Sequence, residues 1–99
     1  MPAMTFEQFE AAVDQPAPPA GLDPLQQALW HEAKGDWKRA HELAQDEDDA
    51  EGAWVHAYLH RVEGDLSNAG YWYRRAGRPV CELPLREEWR QIASTLLAR

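Results

Sequence analysis

Cysteine is all but missing from this chain: Cys81 stands alone, so no disulfide can staple the fold from within. Basic residues are also few, ten against seventeen acids, and the formal net charge of -7 sets the chain against nucleic acid and anionic membrane surfaces, which repel it at long range. Long apolar runs are missing too. Nothing approaches the roughly 20 apolar residues of a membrane-spanning helix, and the amino terminus lacks the basic stretch and apolar run of a secretory signal. These absences predict an acidic, cytoplasmic protein that binds neither membrane nor nucleic acid. No segment alternates in the manner of a half-buried strand, and no Ser-His-Asp set, glycine-rich phosphate loop or paired-carboxylate motif is evident. The expectation is an all-α protein without catalysis and without a cofactor.

What is there is enough to fold. The 99 residues are 44% hydrophobic and include five tryptophans, too rich in large apolar side chains for a disordered segment. A chain of this length builds one core and buries roughly two thirds of the surface it exposes when unfolded. Charge is unevenly spread: residues 1–52 carry twelve acids and three bases, residues 53–99 five acids and seven arginines. The two halves are expected to present electrically different faces.

Helix grammar runs along the whole chain. Thr5 with Gln8 three residues on forms a capping-box pattern, and Phe6, Phe9 and Val13 share one helical face, so residues 1–13 read as a short amphipathic helix. Residues 14–21, with Pro16, Pro18 and Pro19, read as a linker. Residues 22–99 form the main helical domain. Asp23-Pro24 starts a helix that carries Leu22, Leu25, Ala28 and Leu29 and ends at Gly35. Asp36 then caps the next helix, with Trp37, Ala40, Leu43 and Ala44. The pattern recurs from about residue 50: Val55, Tyr58, Leu59 and Val62 precede Gly64, and Asp65 opens a helix with Leu66, Ala69, Tyr73 and Ala76. A last helix from near Pro84 aligns Leu85, Trp89, Ile92 and Leu96.

A shift of 29 residues superposes Ala28 on Ala57, His31 on His60, Gly35 on Gly64, Asp36 on Asp65 and Ala40 on Ala69. Matches at turns, caps and small residues are those a duplicated geometry demands. With Gly35-Asp36-Trp37 and Ala40, Gly64-Asp65-Leu66 and Ala69, and the stretch from Ala69 to Ala76, the chain resembles the tetratricopeptide-like superfamily, the Sel-like branch in particular, over residues 22–79. The resemblance implies a short array of two helical hairpins, with an N-terminal helix and a C-terminal capping helix added. Its repeat is shorter than the usual roughly 34 residues, and two hairpins are fewer than such arrays normally stack. The last helix is expected to cap the second hairpin, and Phe6 and Phe9 to cover apolar surface elsewhere.

Members of that superfamily generally bind peptides in a groove lined by the first helix of each hairpin. Carried over by position, the groove comprises Leu25, Leu29 and Glu32, then Trp54, Tyr58 and Arg61, and its occupant is a protein or peptide segment, or a second copy of the chain in a homodimer. Burial of the same stripe in the core is the competing reading, and a first helix folded into the groove is a third. A separate reading concerns histidine. His56 and His60 lie one helical turn apart and His31 is the repeat equivalent of His60, so the three form a candidate metal set for zinc, copper or nickel, or the centre of a small-molecule site, against the alternative of structural histidines. The acidic run from Asp46 to Asp49 and Glu51 lacks the spacing of a calcium loop and is read as a helix cap. Arg74, Arg75 and Arg78 complement a helix C-terminus, and Cys81 is read as structural.

Overall fold

The computed structural model describes residues 4–99, so the first three residues of the expected N-terminal segment lie outside the described part. Six helices follow one another: α1 (Phe6–Ala12), α2 (Pro24–Ala33), α3 (Trp37–Gln45), α4 (Ala50–Val62), α5 (Leu66–Ala76) and α6 (Leu85–Ala98), with no strand among the described residues. None of the helices is long and apolar enough to cross a membrane.

Local chemistry sets the boundaries. Thr5 and Gln8 form the reciprocal capping box, and Asp23 forms a second one with Gln26 ahead of Pro24. The two hairpin turns are near copies. Gly35 and Gly64 both sit at φ 87°, where a side chain would strain the backbone. The amide of Asp36 bonds the carbonyl of His31 and that of Asp65 the carbonyl of His60, each at 2.9 Å, which closes both helix ends with the same pattern. Asp36 and Asp65 then turn their carboxylates onto the amides of Arg39 and Asn68, capping the next helix. Asp49 caps α4 through Gly52 at 2.7 Å, and a Cβ at Gly52 would collide with the carbonyl of Glu47. Glycine there lets the connection between the hairpins fold tightly against the start of α4.

Within each hairpin α2 packs on α3 and α4 on α5, and α3 joins the hairpins by packing on α4. The sixth helix does more than cap the second hairpin. It lies across α2 and α4, the first helices of both hairpins. Trp89, Ile92 and Leu96 are buried there, whereas Leu85 is 39% exposed and stays outside the core. The indole of Trp89 donates to the carbonyl of Leu29 at 3.0 Å, and Gln26 of α2 donates to the carbonyl of Leu96 at 3.2 Å. The first helix covers α6 in turn: the rings of Phe9 and Trp89 stack at 5.6 Å, and Trp30 donates to the carbonyl of Ala12 at 2.9 Å. The radius of gyration, 12.6 Å, is the roughly 13 Å of a compact domain of this length, so residues 14–21 do not hold the first helix apart.

Candidate metal-binding site

The residues expected to line a partner groove are in large part interior. Leu25, Leu29, Trp54 and Tyr58 are buried beneath α6. Glu32 is half-buried, and burial raises its carboxyl pKa against the opposing influence of Tyr58 and Arg86. Arg61 turns inward and donates to Glu88 at 2.9 Å. Glu88 is fully buried and also receives the Tyr73 hydroxyl at 2.7 and 2.5 Å and the Trp54 indole at 3.3 Å. Burial, and then the bond to Glu88, push the Tyr73 phenol above its ordinary range. The groove is thus filled by the chain's own last helix, whose one buried charge is paired and fully hydrogen-bonded.

A different set of side chains converges at the seam between the hairpins. His41 on α3 hydrogen-bonds His56 on α4, with 3.0 Å between their Nε2 atoms. His60, one turn further along α4, stacks on His56 with ring centroids 4.9 Å apart. One ring nitrogen from each of the three lies within 4.8 Å of the others. His56 and His60 are buried, and His41 is half-buried at the outer edge. Two tryptophans fix the rings: Trp37 stacks on His41 at 4.8 Å, and Trp72 of α5 lies flat on His56 at 3.9 Å.

His31 does not join this set; it packs edge-on against Trp30. The reason is geometric. Residues equivalent in a repeat are displaced from one another by the whole repeat, whereas the contact across the seam is made by the second helix of one hairpin and the first helix of the next. His41 was passed over in the sequence, although its spacing carries a signal. It belongs to the face Trp37, Ala40, His41, Ala44, spaced i, i+3, i+4, i+7, and the two alanines of that face are the buried residues of α3.

Burial favours the neutral form of two of these rings, His41 and His56. Burial, then His41, His60 and Arg75, lower the His56 pKa from 6.5 to about 4, and burial followed by His60 lowers that of His41. Glu63 faces Nδ1 of His60 at 2.6 Å, so Nδ1 donates to the carboxylate and, in the neutral tautomer, Nε2 carries the lone pair. A carboxylate on the rear nitrogen is the arrangement that orients metal-ligating histidines and raises their basicity. In a tetrahedral site with bonds of about 2.05 Å, donor nitrogens lie about 3.3 Å apart. The His41–His56 pair is within a few tenths of an ångström of that spacing, and ligation by His60 as well requires its ring to turn out of the stack it forms on His56.

The remaining candidates are engaged elsewhere. Asp49 caps α4, Arg78 stacks over Trp54 at 3.4 Å, and Cys81 is half-buried beside the interior. Comparisons of the chain with known protein families, curated proteins and solved structures give no match.

Proposed function

We propose that this protein binds a divalent transition-metal ion through His41, His56 and His60, with Glu63 holding His60 in its ligating tautomer. The observation that carries the reading is the 3.0 Å approach of two Nε2 atoms from different hairpins, with a carboxylate-oriented third imidazole beside them. Donors that are all imidazole suit zinc, nickel and copper(II), and they discriminate against calcium and magnesium, which take oxygen ligands. Two of the three ligands carry lowered pKa values, so protons compete weakly for them at neutral pH.

The test is titration calorimetry with nickel and zinc on the wild type and three variants. One ion per chain is expected, with binding lost or weakened about 100-fold in His41→Ala and His56→Ala and unchanged in His31→Ala. No heat with either metal, or a loss as large in His31→Ala as in His41→Ala, overturns the proposal.

We also infer that the hairpins are repeat units of the tetratricopeptide kind, a reading supported by the matching Gly-Asp turns. Peptide capture of the sort that family performs requires displacing α6 from the groove it fills. The geometry therefore favours the metal reading over the interaction reading.

A further inference from the structure

Three imidazoles satisfy three positions of a tetrahedral ion; the fourth decides whether the site is closed and structural or open to exogenous ligands. Among the described residues no fourth histidine, cysteine or carboxylate belongs to the group formed by His41, His56 and His60. Glu63, the carboxylate beside it, is committed to Nδ1 of His60, on the edge of that ring away from its lone-pair nitrogen. Half-burial of His41 opens the group toward solvent.

The next layer includes a cation. Trp72 lies flat against His56, and the Arg75 guanidinium lies over the same indole, 5.1 Å from its centroid. Arg75 is held there by the Tyr71 hydroxyl at 3.3 Å. Its ion pair is a loose one at 3.5 Å with Asp48, a side chain 93% exposed, and such surface pairs contribute little. The guanidinium charge is thus not committed to a buried ion pair.

Resting on the metal reading, we infer that the ion bound by His41, His56 and His60 keeps its fourth position for an exchangeable small inorganic anion, which Arg75 attracts. The site is then a Lewis-acidic centre with a replaceable ligand rather than a closed structural clip.

Cobalt(II) replaces zinc in tetrahedral nitrogen sites and reports its coordination by visible absorption. The experiment loads the full chain with cobalt and titrates it with azide. A saturable change in the cobalt bands is expected, with the apparent azide affinity falling about two- to fivefold in Arg75→Gln and returning in Arg75→Lys, as fits an exposed charge acting at short range. Tetrahedral cobalt bands that ignore azide up to about 100 mM overturn the inference and leave metal binding standing. Azide binding that is equal in Arg75→Gln and the wild type removes the part given to Arg75. The lack of any cobalt band removes the metal reading and this inference with it.

Discussion

Glu88 is a fully buried carboxylate that gathers Arg61, Tyr73 and Trp54 from both helices of the second hairpin. Removing one partner of a buried ion pair leaves an uncompensated charge and costs about 3–5 kcal/mol. A domain of this length holds only about 5–15 kcal/mol in all. Glu88→Ala is therefore expected to lose about 3 kcal/mol or more in urea denaturation, and the double variant Glu88→Leu with Arg61→Met to recover much of it, because the orphaned guanidinium goes too. A single variant as stable as the wild type would show that the cluster is solvated. Glu88 drew no expectation from the sequence, although it occupies the i+3 position of the stripe Leu85, Glu88, Trp89, Ile92. Spacing marks the face it is on, and the seating of α6 across the hairpins supplies the partners that it meets there.

The elements differ in how far their own residues determine them. The turns that close α2 and α4 and open α3 and α5, and the stop of α5 at Gly77, were legible because a cap or a left-handed glycine acts within a few residues, and the Gly-Asp pairs do so twice in the same way; no such signal marked the end of α3. Where α6 sits was not legible. Its stripe of Trp89, Ile92 and Leu96 announces a buried face without saying which surface buries it, since apolar burial is non-directional. Trp54, Tyr58 and Arg61, read by position as part of a partner groove, are interior, and Trp54 and Arg61 hydrogen-bond Glu88 of α6. Deleting residues 84–99 uncovers Leu29, Trp54 and Tyr58 and strands Arg61 and Tyr73 without their carboxylate. The truncated chain is expected to lose its cooperative thermal transition, as followed by circular dichroism. A shortened protein that melts sharply near the wild-type temperature would mean that the hairpins form a core by themselves.

At the scale of the whole molecule, the uneven charge of the sequence becomes attraction between its ends. Arg86 and Arg90 of α6 both reach Glu10 of α1, and Arg99 pairs with Asp23 and Glu51. Global stability also inherits the lowered pKa values of His41 and His56. An unfolded His56 takes up a proton near pH 6.5, and the folded one only near pH 4. The unfolded state thus binds more protons between those values, and stability present above about pH 6.5 drains away as pH falls toward 4. His41 acts in the same direction, whereas Glu32, whose pKa is raised, acts in the opposite one. In metal-free buffer the melting temperature is expected to fall from pH 7 to pH 4.5, with a flatter profile in His56→Gln. Parallel profiles for the two proteins would mean that His56 is protonated as readily in the fold as in the open chain.

The seam between hairpins, rather than the hairpin itself, is where the side chains of this protein cooperate, and that makes the arrangement modular. With a period of 29 residues, the position matching His41 in the second hairpin is Gly70, and the positions matching His56 and His60 in the first are Gln27 and His31. A tandem polymer of the hairpin pair would create a fresh junction between each copy and the next, furnished with one imidazole in three, His31. On the metal reading proposed above, Gly70→His and Gln27→His would complete the set there, so that each link of the filament would hold an ion.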